Sequence, residues 1–278
     1  MSDIKERLKR EIEKSGYPLE IQLIYFLRNS NWVALPQDYY FDKELQLERQ
    51  IDIMATPFFK TWKKRNASLS PFIFNWFLAI ECKKTNRNWV FFPISELVIS
   101  CSGQYVDFLE AKTGMSLMDE IIPYRFGHYS DFREAAYVFT VFPKGKDEIF
   151  EAKTQILKYI SYQKNERILA LKNSKGYNLE FWFPIIVVDG SIWQAKISQN
   201  KVDDIEIVDH VLLKTRYKSS YLGNPFSYTI DIVTKDQFPL LINRIKKDIS
   251  ETEETFIANK EMWIGHTERR LKQFSERK

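Results

Sequence analysis

Cysteine is nearly absent from this chain: Cys82 and Cys101 are the two in 278 residues. Two thiols are too few for a disulfide framework or a cysteine-built zinc site. The three histidines, His128, His210 and His266, stand far apart with no metal-ligand spacing, and read as isolated surface or hydrogen-bonded core residues. Nowhere does a charge-free apolar run reach the roughly 20 residues that cross a bilayer. The opening MSDIKERLKR holds no apolar stretch to serve as a signal peptide. A soluble, cytoplasmic protein without a membrane partner is therefore expected. No Walker-type glycine-rich loop, nucleophile elbow or dinucleotide fingerprint occurs, which weakens ATPase, serine-type hydrolase and oxidoreductase readings. Internal repeats, low-complexity tracts and obvious linkers are also missing.

What is present suits one large α/β domain, or one domain with an added lobe. At 44% hydrophobic and 15% aromatic, the chain can bury a sizeable core, which a disordered chain cannot. The 41 Lys and Arg against 37 Asp and Glu leave a net charge of +4, compatible with a polyanionic partner but shared by many enzymes.

Along the chain, residues 3–14 form a charged helix ended by Gly16. Pro18 starts a second helix with Leu19, Leu23, Ile24, Phe26 and Leu27 on its buried face. VALPQDYYFD, the turn KELQLER and QIDIMA (50–55) read as a hairpin. Residues 56–70 are loop-like, with Lys60, Trp62, Lys63, Lys64 and Arg65 close together, a set suited to phosphate contact and base stacking or merely solvated. FIFNWFLAIECKK is a strong strand, followed by a turn at 85–88 and WVFFP. Residues 94–135 read as an insertion with one or two helices, and AYVFTVF (136–142) as extended. The segment 147–163 is an amphipathic helix with Ile149, Phe150, Ala152, Ile156, Leu157 and Ile160 on its apolar face. Two strands around Asp189-Gly190 suggest a tight hairpin. IEIVDHVLLKTRY and FSYTIDIVT follow as strands, and the C-terminal part is helical.

Chemistry concentrates on two of these strands. In QIDIMA, Ile51, Ile53 and Ala55 share one face, and Gln50, Asp52 and Met54 the other. In FLAIECKK, Glu81 and Lys83 share a face while Ile80 and Cys82 point the other way. Burying such charges is unfavourable unless they pair or bind a metal. Asp52 and Glu81 on adjacent strands can bridge one Mg²⁺ or Mn²⁺, with the carbonyl of Cys82 as a third ligand. Such an ion polarises a phosphodiester and lowers the pKa of a bound water, and Lys83 can orient that water. An E-x-K triplet is also common as a solvated ion pair.

Asp52 followed by Glu81-Cys82-Lys83 after an apolar strand resembles the PD-(D/E)XK, or restriction-endonuclease-like, phosphodiesterases. The order helix, hairpin strand, Asp strand, E-x-K strand, helix is also similar. That resemblance implies a mixed central sheet flanked by helices, occupying 1–250 with an insertion at about 94–140, and a C-terminal helical extension over 251–278. It implies a Mg²⁺- or Mn²⁺-dependent nuclease acting on DNA, as a monomer or a homodimer. In many members the first helix adds an acidic metal ligand, which places Glu20 in the metal shell; Glu early in a helix also suits the helix dipole. In some branches a Gln-x-x-x-Tyr helix contributes a catalytic glutamine, which here matches Gln155 and Tyr159. Gln155 is equally a polar residue at the solvated edge of a helix. A fold of this kind that has lost turnover, serving as a binding module, is the other reading.

Overall fold

The computed structural model describes residues 2–58, 72–94, 105–107, 127–129, 132, 134–171, 177–221 and 225–276. Helix α1 (Ser2–Lys14) gives way at Ser15-Gly16 to α2 (Tyr17–Asn29), whose first turn holds Pro18. Leu19, Leu23, Ile24 and Leu27 lie on one stripe at helical spacing and are all buried. Asn31, in the left-handed region at φ 62°, turns the chain into β1 (Trp32–Asp42), which pairs antiparallel with β2 (Leu47–Pro57). The connecting turn is shorter than KELQLER suggests. The Asp42 carboxylate accepts the N–H groups of Glu44 and Leu45, tightening the turn so that β2 begins at Leu47.

The remaining strands are β3 (Phe72–Lys84), β4 (Asn88–Ile94), β5 (Tyr105–Asp107), β6 (Ala135–Phe142), β7 (Tyr177–Asp189), β8 (Ile192–Ser198), β9 (Lys201–Val208), β10 (His210–Lys218) and β11 (Pro225–Thr234). They form one mixed sheet in the order β1-β2-β3-β7-β11-β10-β6-β4-β8-β9, with the short β5 beside β7. The stretch expected as the single strand IEIVDHVLLKTRY is two, broken at Asp209.

Three α-helices and a 3-10 turn at Gly127–Tyr129 complete the described chain, the helices being α3 (Glu148–Leu171), α4 (Phe238–Ala258) and α5 (Lys260–Glu276). One core cluster joins α2 and α4 to β3 and β7 through Leu23, Leu78, Phe183 and Ile245. The other lies on the opposite face, where Ile156 and Ile160 of α3 meet Phe77, Trp182 and Ile230. The architecture is thus mixed α/β, a large mixed sheet flanked by helices. No helix among the described residues is long and apolar enough to cross a membrane. Phe150, expected on the buried face of α3, is exposed under the ammonium of Lys153. Helix α4 runs through residue 250 without a break and buries Thr252, Glu253 and Phe256 beyond it.

The hairpin expected at Asp189-Gly190 does not form, because β7 and β8 are not neighbours in the sheet. Instead β3 and β7 run parallel over their whole length, turn together, and continue as the parallel pair β4 and β8. Thr85 N–H donates to Asp189 O at 3.1 Å and Trp89 N–H to Ser191 O at 3.1 Å, carrying the ladder around the corner. The chains come so close there that a Cβ on Gly190 would lie 2.6 Å from Thr85 O. Glycine is needed for this backbone approach, not for a two-residue turn.

Most of the insertion expected at 94–140 lies outside the described residues. Its flanking strands pair with each other, Phe91 opposite Phe139, and β5 within it joins the sheet elsewhere, against β7. The basic loop with Lys60, Trp62, Lys63, Lys64 and Arg65 also lies outside them.

Candidate active site

Strand β3 sits between β2 and β7, covered on both faces, which explains its nearly unbroken apolar run. Alternation along it sends Leu78, Ile80 and Cys82 to the α2/α4 side, and Phe77 and Ala79 to the α3 side. Glu81 and Lys83 continue that second series. Strand β2 is antiparallel to β3, with Ile53 opposite Ile80. Carried one step further, the register sets Asp52 across from Glu81, and Asp52 Oδ2 accepts the Cys82 N–H at 2.7 Å. The Cys82 side chain is core packing. Ile51, expected to share its face with Ile53 and Ala55, joins the other cluster. Opposite Asp52, Gln37 of β1 takes φ 51° in the left-handed region, while the register on either side of it, Pro36 with Ile53 and Asp38 with Ile51, is unbroken. The change of core between Ile53 and Ile51 coincides with this local departure from strand backbone.

Glu81 is wholly buried, and Lys83 Nζ lies 2.9 Å from its Oε2. The Lys83 ammonium and the Asp52 main-chain N–H both favour the charge on Glu81. Burial, with the nearby Asp52 charge, pushes the Glu81 carboxyl up to about 8. Burial likewise raises Asp52, against the Cys82 N–H and Lys83, which favour its charge. Burial also acts on Lys83, but Glu81 and Asp52 outweigh it and hold the ammonium above its ordinary range. Glu20 on α2 belongs to the same group: burial and the Asp52 charge push it up to about 7, with Lys83 opposing. Glu20 and Glu81 thus each feel Asp52, and one ammonium favours the charge on all three carboxylates. With all of them ionised the group is anionic overall, and either protons or a cation relieve it.

No protein-family model, curated protein or solved structure matches this chain. The functional reading therefore stands on the residues themselves. Their hard oxygen donors suit Mg²⁺ or Mn²⁺, and a cation would relieve the repulsion between Glu81 and Asp52. The fit is of donor type, not of a finished cage. Among the described residues no three His, Cys, Asp or Glu side chains stand ready to hold a metal ion.

Gln155 of α3 also reaches this part of the molecule. Its Nε2 donates to Gln50 O at 2.6 Å, two residues before Asp52. One turn on, Lys158 pairs with Asp42 at 2.9 Å and Glu44 at 2.7 Å, and Tyr159 donates to Asp38 at 2.6 Å. This face of α3 is therefore tied to the β1–β2 hairpin and not left at a solvated edge.

Sequence reasoning missed two polar groups inside the molecule. His128 and His210 are not isolated: both approach Asp231, His210 Nε2 at 2.9 Å and His128 Nε2 at 3.7 Å. His128 Nδ1 also bonds Asp248 of α4. Burial opposes a charge on His128, but Asp231 and Asp248 prevail and raise it to about 9. The other group surrounds Glu180, a buried carboxylate near the start of β7 that burial raises to about 7, with Arg167 3.9 Å away.

Proposed function

We propose that the protein is a divalent-metal-dependent nuclease of the restriction-endonuclease-like, PD-(D/E)XK kind, hydrolysing phosphodiester bonds in DNA in the cytoplasm. The observation that supports this most is Glu81: a wholly buried carboxylate, paired with Lys83, that stands opposite a second acid, Asp52, with Glu20 acting on that second acid in turn. A simple structural ion pair has no need of a second and third acid beside it.

Asp52 and Glu81 would hold Mg²⁺ or Mn²⁺, with Glu20 and the main-chain carbonyl of Cys82 as further donors. The ion supplies Lewis acidity toward the phosphoryl oxygens and a more acidic water. Lys83 balances the Glu81 charge and can hold the attacking water by a hydrogen bond. The Cys82 N–H fixes one Asp52 oxygen. Gln155 steadies β2 beside Asp52.

A second reading, a nuclease fold without turnover that binds nucleic acid or a protein, draws on one specific observation. Lys83 and the Cys82 N–H give Glu81 and Asp52 partners without any ion. Supercoiled plasmid incubated with Mg²⁺, Mn²⁺ or chelator separates the two. Nicking that chelator abolishes is expected; tight DNA binding with no cleavage in either metal would favour the second reading. Cutting both strands would call for two copies of the site, and hence a homodimer on DNA.

A further inference from the structure

Strands β3 and β7 end together at Lys84 and Asp189. Beyond them opens a cavity of about 530 Å³, bounded by the last turns of α1 and the first turn of α3. Ligands of α/β sheets commonly lie outside the carboxyl ends of parallel strands. Six charged side chains line this one: Arg10, Glu13 and Lys14 from α1, Lys84 from β3, Glu148 from α3 and Asp189 from β7.

By count the charges balance; by pairing they do not. Glu148 is met by Arg87 Nη1 at 3.3 Å and by the Trp89 indole N–H at 3.1 Å. Asp189 is met by Lys235 at 2.7 Å. Both acids are thus neutralised by cations outside the lining. The lining cations are held differently. The Lys84 ammonium donates to the main-chain carbonyl of Glu13, and Arg10 Nε donates to that of Glu6 at 3.4 Å. A neutral carbonyl orients a cation without cancelling its charge. Lys14 meets Glu11 at 3.6 Å in an exposed pair that water largely screens. The cavity therefore presents three cations against one unneutralised lining acid, Glu13.

Its lining residues neighbour those of the carboxylate cluster along the chain. Lys84 follows Lys83 in β3, and a Cβ on Gly16, at the corner between α1 and α2, would lie 3.5 Å from Glu20 Oε1. We propose that this cavity binds a phosphate group of the nucleic-acid strand beside the cleavage site, through Arg10, Lys14 and Lys84. The proposal rests on the nuclease reading for its substrate. The phosphate is either an internal diester of the strand or a terminal 5′-monoester, and both present the same oxyanion to these cations.

The test uses the full chain and short 3′-fluorescein-labelled single-stranded DNA, with a 5′-phosphate or a 5′-hydroxyl. Binding is followed by anisotropy in Ca²⁺ between ~50 and ~200 mM salt, with plasmid cleavage in Mn²⁺ run alongside. The double variant Arg10→Gln/Lys14→Gln should bind about tenfold more weakly, with a salt slope shallower by about 0.7 for each phosphate it no longer neutralises. Glu13→Gln should bind more tightly than wild type, a gain that misfolding cannot produce. Loss confined to the 5′-phosphorylated strand assigns the cavity to a chain end; equal loss on both assigns it to internal diesters. Unchanged affinity and slope in the double variant, or no DNA binding by wild type, overturns the proposal. Binding that weakens in the variant while wild type fails to cleave plasmid in Mn²⁺ leaves the cavity standing and sinks the nuclease reading.

Discussion

Glutamate and lysine two positions apart on a strand can be a salt bridge or half of a reaction centre, and the partners of Glu81 bear on which. A bridge is satisfied by one ammonium, whereas Glu81 also faces Asp52, and Glu20 stands by as a third acid. Glu81→Ala should therefore abolish Mg²⁺-dependent plasmid cleavage with the fold retained by circular dichroism. Lys83→Ala should lose turnover yet still bind Mn²⁺, since an ammonium is no ligand. Equal nicking by wild type and both variants would mean that the activity lies elsewhere. Glu180 offers a separate test with no catalytic meaning. Its carboxyl is raised from an ordinary 4.5 to about 7, so the folded state holds a proton that the unfolded state has released. Stability from this group is thus lost as pH rises from about 4.5 to about 7. Glu180→Gln should match wild type near pH 4 and exceed it at pH 8 by up to about 3 kcal/mol. Urea midpoints at the two pH values check this; an equal change at both would show that packing, not ionisation, governs the site.

Element by element, long apolar or strongly periodic segments were legible in the sequence and partner choice was not. The run FIFNWFLAIECKK is β3 to the residue, because a strand covered on both faces must be apolar nearly throughout. Helix α2 was equally plain from its buried stripe. Asp189-Gly190 misled because a turn signal says that the chain bends, not which strand it then meets. Its neighbour is Thr85, far off in sequence, and the register of a parallel pair leaves no local mark. Gly190→Ala isolates that close approach. The added methyl would meet a backbone oxygen, which cannot swing away as a side chain could. A loss of about 1–3 kcal/mol is expected from denaturant midpoints, in the range of overpacked sites. No loss would mean that the corner opens without strain, and the close-approach account of this glycine would be wrong.

At the scale of the whole molecule, the candidate site was readable where strand alternation alone places side chains, as for Asp52, Glu81 and Lys83. The group of His128, His210, Asp231 and Asp248 was not, since four separate segments supply it and only packing brings them together. The carboxylate cluster has a consequence for total stability that separates a metal site from a structural pair. Crowded, desolvated acids oppose folding, and a ligand bound by the native state alone offsets this by RT ln(1 + [L]/Kd), about 2.7 kcal/mol at a hundredfold excess over Kd. Mn²⁺ should therefore raise the melting temperature of wild type by several degrees, and chelator should reverse the rise. Glu81→Gln should remove the Mn²⁺ response. Without metal at pH 9, above the raised Glu81 value, it should melt no lower than wild type, because it deletes a desolvated charge. If Glu81 served only as the partner of Lys83, the outcome would reverse. The variant would strand a partly buried ammonium and melt well below wild type, and wild type would ignore Mn²⁺. Melting curves of the two proteins, with and without Mn²⁺, thus decide between a site built for a cation and a bridge that already contains one.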